Sequence, residues 1–160
     1  MQKLILSFSM FCLLIALLNG CDWRLRGVGA KHFAVPKTFL NVRSGGEDLS
    51  VYRKIDSILM RQGTLSSRKQ AEVQLILGKQ TFNKRTISVN KNARAAEFQL
   101  TLKVPFKILN QQGAVLHKST ALLTKSYGFN EQDIVGKHKE EELLKKEMVR
   151  DIAHQILRQL

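Results

Sequence analysis

Residues 98–108 read FQLTLKVPFKI, with an apolar side chain at every second position and a polar side chain or proline between them. Successive side chains of a β-strand point to opposite faces, so this period of two predicts a strand with one buried face and one solvated face. Pro105 has no N–H to donate to a neighbouring strand. The proline therefore predicts either an edge position or a local irregularity at this point of the sheet.

The residues around this strand predict an antiparallel sheet. Residues 110–113 (NQQG) form a predicted hairpin connection, after which residues 114–127 return as the last strand. On the other side, residues 90–92 (NKN) predict a turn, and residues 72–89 predict either one long strand with a bulge or bend after Gly78 or two short strands. Residues 38–43 predict one further short strand.

Two segments have the apolar spacing of amphipathic helices. The first covers residues 49–62, with Asp48 as a plausible N-cap and Gly63 in the stop position, and the second covers about residues 137–160. Their predicted apolar faces are Leu49, Tyr52, Ile55, Ile58 and Leu59 in the first, and Leu144, Met148, Ile152, Ile156 and Leu160 in the second. The sequence thus predicts an α+β fold, with two amphipathic helices packed on one face of a mostly antiparallel four-stranded sheet.

The N-terminus predicts export. A basic start at Lys3 precedes the uncharged, mostly apolar residues 4–18, which are fewer than the ~20 residues of a membrane-spanning helix. Leu18-Asn19-Gly20-Cys21 follows with the pattern of a lipobox, in which the cysteine is lipidated and becomes the new N-terminus. We expect residues 1–20 to be a removed signal peptide, residues 21–37 a lipidated tether and residues 38–160 a single domain. An ordinary signal peptide with a chance cysteine and an uncleaved anchor are the alternatives.

Charge and cysteine content limit the possible functions. The chain has 26 Lys and Arg against 13 Asp and Glu, a formal charge of +13, and removal of Lys3 with the signal leaves +12. Such a charge predicts an anionic partner such as phosphate-rich lipid or nucleic acid, and export argues against nucleic acid. The two cysteines are Cys12, in the signal, and Cys21, which lipid would occupy. Disulfides, thiolate metal ligands and a thiol nucleophile are therefore excluded from the mature chain.

The other chemistry-bearing residues predict binding rather than catalysis. The histidines share no metal-ligand spacing, and the sequence has neither a Gly-rich phosphate loop nor a nucleophile elbow, so we expect no enzyme activity, metal or cofactor. The acidic run Glu140–Glu142 is expected to open the last helix, where it would favour the helix dipole. Between Lys79 and Glu97 there is no acidic residue, which predicts an uncompensated positive charge around Lys91.

Several segments, in order, resemble the LptE family of outer-membrane lipoproteins that assemble lipopolysaccharide. The similarity extends over essentially the whole chain after the signal. Its segments are Cys21-Asp22-Trp23-Arg24-Leu25-Arg26, Ala96-Glu97-Phe98-Gln99-Leu100, Asn130-Glu131-Gln132, Lys146-Glu147-Met148 and Gln155-Ile156-Leu157-Arg158-Gln159-Leu160.

The resemblance implies a fold with two helices on a mostly four-stranded sheet, which agrees with the fold predicted above. It also implies that the domain plugs and helps assemble the outer-membrane β-barrel LptD, and that it binds lipopolysaccharide through basic residues at the positions of Lys91 and Lys137. The acid-free segment adds Arg94 to this expected anion site. The expected location is the cell outer membrane, with a lipid anchor on Cys21.

One residue departs from this expectation, and other functions remain open. Asp22 directly follows the predicted lipidated cysteine, where aspartate marks inner-membrane retention in some enterobacteria. The alternative function is an envelope lipoprotein that binds another anionic polymer or assembly machine without a barrel partner. A third possibility, a lipid-anchored hydrolase, has no residues to support it.

Overall fold

The computed structural model describes residues 35–42 and 48–160. The predicted signal peptide, Cys21 and most of the predicted tether lie outside these residues. In chain order the elements are β1 (Thr38–Val42), α1 (Ser50–Gln62), β2 (Val73–Leu77), β3 (Thr81–Val89), β4 (Ala95–Asn110), β5 (Val115–Gly128), a 3₁₀ turn (Glu131–Asp133) and α2 (Ile134–Leu157).

Strand β4 is the centre of the sheet. Along one edge it pairs with β5, and its other edge is shared by β3, opposite its first half, and β2, opposite its second half. All of these pairings are antiparallel, whereas β1 joins the outer edge of β2 in parallel. The predicted α+β class is confirmed. The described residues form five strands rather than four, because the predicted 72–89 segment is divided into two.

The division between β2 and β3 lies opposite Pro105. The Gly78 N–H donates to the Pro105 carbonyl at 2.7 Å, and a Cβ on Gly78 would lie 3.0 Å from Pro105 Cγ. In an antiparallel strand the N and O of one residue point to the same side, so the missing N–H of Pro105 faces this break rather than a continuous strand. Pro105 thus occupies a local irregularity in a central strand, which was the second of the two predicted alternatives.

The alternation in residues 98–108 produces the core. Leu100, Leu102, Val104, Phe106 and Ile108 are buried against both helices, whose buried apolar side chains are Val51, Ile55, Ile58, Leu59, Met148, Ile152, Ala153, Ile156 and Leu157. Val51 was absent from the predicted helix face, while Leu49 and Tyr52 are only half-buried. In β3 the spacing of Ile87 and Val89 also suggests an apolar strand face, but both side chains are exposed, and register shifts disrupt the pairing with β4 after Thr86.

The helix boundaries differ from prediction by one residue at the start of α1 and by three residues at each end of α2. Gly63 ends α1 in the left-handed conformation, as predicted, with φ of 68°. Asp48 lies one residue before the N-cap position and accepts a hydrogen bond from the Ser50 N–H at 2.9 Å. Helix α2 begins at Ile134, so the run Glu140–Glu142 lies in its second and third turns. The expectation that this run opens the helix is therefore wrong.

We predict that Leu102→Ala lowers the free energy of unfolding by roughly 2–5 kcal/mol, because Leu102 is fully buried at the centre of β4. Denaturant unfolding of the purified protein measures this loss. Thr101→Ala is the matched control, since Thr101 lies on the opposite, helix-free face and should cost far less. Equal losses for the two variants would contradict the assignment of the two faces.

Candidate anion-binding site

The turn that carries Lys91 and Arg94 is held by Asn90. The Asn90 side-chain oxygen accepts hydrogen bonds from the N–H groups of Asn92 at 2.9 Å and Arg94 at 3.1 Å. Backbone bonds from Asn90 to Arg94 and from Ala93 to Asn90 close the hairpin, and Ala93 takes a positive φ of 57°. The predicted turn is confirmed. It holds the Lys91 side chain exposed at the end of the β3–β4 hairpin.

The segment that precedes α2 lies at the same end of the domain. The Phe129 N–H donates to the Ala96 carbonyl at 2.7 Å, and Arg94 forms an ion pair with Glu131. Asn130 and Asp133 then cap the 3₁₀ turn and α2 through their side-chain oxygens. These contacts bring the Lys91–Arg94 turn and the beginning of α2, which carries Lys137, to one end of the fold.

The charge at this end is partly compensated, contrary to the prediction. Lys137 Nζ lies 2.7 Å from Glu140 Oε2, and Arg94 is paired with Glu131. Within residues 35–42 and 48–160, no carboxylate lies within ion-pairing distance of Lys91. Glu140 could have been found from its i+3 spacing to Lys137. Glu131 could not, because the fold alone brings it next to a residue 37 positions away.

Beneath this end, Glu141 is the centre of a polar cluster. One carboxylate oxygen accepts hydrogen bonds from Lys84 Nζ and Tyr127 Oη, both at 2.6 Å, and the other lies 2.7 Å from Lys145 Nζ. Glu141 and Tyr127 are buried, while the side chains of the two lysines are partly exposed. The cluster therefore connects β3, β5 and α2 through one carboxylate.

The contacts of Glu141 determine its pKa. Burial acts to raise the pKa of this carboxyl, but hydrogen bonds from Lys145, Lys84 and Tyr127 outweigh burial and lower the pKa from 4.5 to about 2. Burial and the hydrogen bond to Glu141 both raise the pKa of Tyr127, which keeps its hydroxyl protonated and able to donate. At neutral pH the cluster thus consists of a carboxylate, two ammonium groups and a phenol.

Aromatic rings extend the cluster towards the end of the domain. Lys84 Nζ lies 4.1 Å from the centroid of the Phe98 ring, within the range of a cation–π interaction. Phe98 packs against Tyr127 at 5.8 Å and edge-on against Phe129 at 5.1 Å. Phe129 directly precedes the loop that carries Glu131. The buried carboxylate is thereby linked by packing to the segment that Arg94 contacts.

The sequence identified only part of this cluster. The i+4 pair of Glu141 and Lys145 was visible from spacing, and the structure confirms it. Glu142 has the same i+4 spacing to Lys146, but its carboxylate lies 3.7 Å from Nε2 of His138 instead. Lys84 and Tyr127 lie 57 and 14 residues from Glu141, so no local pattern could have joined them to it.

Two further features are absent from the described residues. No group of three or more His, Cys, Asp or Glu side chains in them is arranged to hold a metal ion. No helix among them is long and apolar enough to cross a membrane. The cations at this end are an exposed Lys91, an exposed Arg94 that is paired with Glu131, and a half-buried Lys137 that is paired with Glu140.

The chain matches the model of the family described as "LptE: Lipopolysaccharide-assembly" over residues 39–160. It belongs to the LptE family. The resemblance seen in the sequence is thereby confirmed, and the match spans all of the secondary structure described above except the first residue of β1. A curated relative, the LPS-assembly lipoprotein LptE of Photorhabdus laumondii subsp. laumondii, is 27% identical over an alignment of 143 residues that covers 88% of this chain and 77% of the relative.

Solved structures share the fold. Rare lipoprotein B from Shewanella oneidensis superposes with a TM-score of 0.61 at 20% identity, covering 74% of this chain and 92% of that one. A lipoprotein B from Nitrosomonas europaea superposes with a TM-score of 0.63 at 21% identity, covering 87% of this chain and 90% of that one. A minor lipoprotein from Acinetobacter baumannii superposes with a TM-score of 0.60 at 24% identity, covering 78% of this chain and 90% of that one. At these identities the likeness supports the two-helix, one-sheet architecture.

We predict that the Glu141 cluster stabilises the folded protein at neutral pH and that this stabilisation is lost in acid. The folded pKa of Glu141 lies below its unfolded value, so the stabilisation is complete above about pH 4.5 and is lost as the pH falls towards 2. A shift of this size corresponds to roughly 3 kcal/mol at most, since each pKa unit is worth about 1.4 kcal/mol and the lysines are partly solvated. Urea unfolding between pH 7 and pH 2.5 measures the effect.

Glu141→Gln keeps the shape of the side chain and removes the titrating group. The variant should be less stable than the wild-type protein at pH 7, and the difference should shrink as the pH falls. Glu142→Gln, on the exposed side of the same helix, is the control and should leave the pH dependence nearly unchanged. A constant difference between Glu141→Gln and wild type across this range would show that Glu141 does not titrate as described.

Proposed function

We propose that this member of the LptE family is an outer-membrane lipoprotein that occupies and helps assemble the LptD β-barrel, and that binds lipopolysaccharide at Lys91, Arg94 and Lys137. The observation that carries the proposal is the family match over residues 39–160, together with the placement of Lys91, Arg94 and Lys137 at one end of the fold. In this proposal residues 1–20 direct export, Cys21 carries the lipid, residues 21–37 form the tether and residues 38–160 form the functional domain.

We call the end of the fold that carries Lys91, Arg94 and Lys137 the basic end. Its geometry supports binding of lipid A phosphates. Lys91 is exposed on a turn whose backbone is fixed by Asn90, so little backbone conformational entropy is lost when an anion binds there. Arg94 and Lys137 are paired with Glu131 and Glu140, but such surface ion pairs contribute only about 0–1 kcal/mol. A multiply charged phosphate ligand can therefore compete with these glutamates for the two cations.

The alternative function is that of an envelope lipoprotein which binds another anionic polymer or assembly machine without a barrel partner. The net charge fits both functions, because it attracts any polyanion. The family match favours the barrel-associated function. Only the barrel-associated function requires a stable stoichiometric complex with an integral outer-membrane protein.

We therefore predict that affinity-tagged protein, expressed in its native host and extracted from membranes with mild detergent, co-purifies with one large β-barrel protein in a 1:1 ratio. Mass spectrometry identifies the barrel, and depletion of the tagged protein should reduce the amount of folded barrel in the outer membrane. Recovery of the tagged protein without any barrel partner, and with normal barrel levels after its depletion, would favour the alternative function.

We further predict that Lys91→Gln combined with Lys137→Gln weakens lipopolysaccharide binding without lowering the unfolding midpoint. Exposed charge–phosphate contacts are individually weak and salt-sensitive, so binding by the wild-type protein should itself weaken as salt rises. Titration with purified lipopolysaccharide, using the chain from residue 21 with Cys21→Ser, measures the effect.

The control for this titration is Lys103→Gln combined with Lys118→Gln. Both of these lysines are exposed on the helix-free face of the sheet, and the pair removes the same amount of charge. This control should bind lipopolysaccharide nearly as well as the wild-type protein. If the two double variants lose affinity equally, the attraction depends on net charge alone and the basic end is not a site.

A further inference from the structure

A groove between the two helices is lined by basic and apolar side chains that do not belong to the basic end. The groove has a volume of about 640 Å³ and is bounded by α1, α2 and the beginning of β3. Arg53 and Lys54 line it from α1, and Lys145 and Lys146 line it from α2. The half-buried side chains of Phe82 and Val149 supply an apolar surface, and serine hydroxyls from α1 also face it.

The acidic residue that lines the groove, Asp48, is engaged elsewhere. Its carboxylate accepts hydrogen bonds from Gln80 Nε2 at 2.6 Å and from the Ser50 N–H at 2.9 Å. Gln80 also donates to Ser50 Oγ at 2.9 Å and accepts from the Val51 N–H at 3.2 Å. Gln80 lies in the break between β2 and β3, so this break supplies the side chain that holds Asp48 at the N-terminus of α1.

Three of the four cations in the groove have no partner in the described part of the chain. Lys145 is bound to Glu141, and its Nζ lies 5.0 Å from the centroid of the Phe82 ring. For Arg53, Lys54 and Lys146, no carboxylate of residues 35–42 or 48–160 lies within ion-pairing distance. Like charges carried on two facing helices repel each other, and an anion between them would remove that repulsion.

We propose that this groove binds a phosphate monoester carried on an apolar chain. The phosphate would lie between Arg53, Lys54 and Lys146, where the guanidinium group can bind two phosphate oxygens at once. The apolar chain would lie against Phe82 and Val149. The volume of the groove falls within the roughly 300–1,000 Å³ range typical of sites for small organic ligands.

This site is separate from the basic end described above, because none of Lys91, Arg94 and Lys137 lines the groove. It does not depend on the proposed function, which concerns the barrel partner and lipopolysaccharide. The occupant is defined by its chemistry: one phosphate with two negative charges and an adjoining alkyl chain. An acidic protein segment would satisfy the cations but would make no use of the apolar surface.

The experiment titrates the chain from residue 21, carrying Cys21→Ser, with hexyl phosphate and with inorganic phosphate by calorimetry and NMR. Hexyl phosphate should bind at least about tenfold more tightly, the gain expected from burying roughly two methylene groups. A decapeptide of glutamates serves as the acidic segment. The proposal is overturned if inorganic phosphate binds as tightly as hexyl phosphate, if the peptide binds more tightly than hexyl phosphate, or if nothing binds.

Variants locate the binding. Arg53→Gln with Lys146→Gln should weaken binding of hexyl phosphate at least about tenfold, whereas Lys103→Gln with Lys118→Gln, which removes the same charge from the other face of the sheet, should change it less than twofold. The NMR shifts that hexyl phosphate causes should centre on the residues that line the groove rather than on the Lys91–Arg94 turn, which separates this groove from the basic end. Equal losses in the two double variants would overturn the proposal. If the first double variant does not fold, Lys146→Gln alone, at an exposed position, should still weaken binding about threefold.

Discussion

Burial of one face of strand β4 against the two helices is the interaction on which the rest of the structure depends. Five consecutive inward side chains of this strand, from Leu100 to Ile108, are almost completely buried, and each lies on the same face because of the two-residue repeat. Every other strand except β1 pairs with β4 directly. A shift of one residue in its register would turn this whole apolar set to solvent, so the core determines the alignment of the sheet.

The break opposite Pro105 connects this core to the helix groove. Pro105 has no backbone N–H to donate in the middle of the sheet. Gly78, which has no Cβ, allows the backbone at the break to approach Pro105 closely. The chain then places Gln80 at the N-terminus of α1, where it binds Asp48, Ser50 and the backbone of Val51. A single irregularity in the sheet thus organises the start of the first helix, and with it one wall of the basic groove.

The Glu141 cluster provides the second connection between layers. A buried carboxylate is costly unless it is paired and hydrogen-bonded, and here Lys84, Lys145 and Tyr127 satisfy it from three elements. Because these partners come from β3, β5 and α2, the cluster positions the helix relative to the strands. It also supports the aromatic residues behind the loop that Arg94 contacts. The end of the domain that carries Lys91, Arg94 and Lys137 is therefore supported by the ion pairs and hydrogen bonds of the Glu141 cluster.

The sequence by itself determined the α+β class, the buried face of β4, both hairpin turns and the family, because each depends on local periodicity, on turn chemistry or on motifs in order. It left two possibilities open for Pro105 and for residues 72–89, since a missing N–H shows that pairing is interrupted but not which strand lies opposite. Only the tertiary structure decided that Arg94 meets Glu131 and that Lys84 and Tyr127 meet Glu141. The pairing of charges depends on distances of a few ångströms between residues far apart in the chain, and no count of acidic residues along a segment can supply those distances.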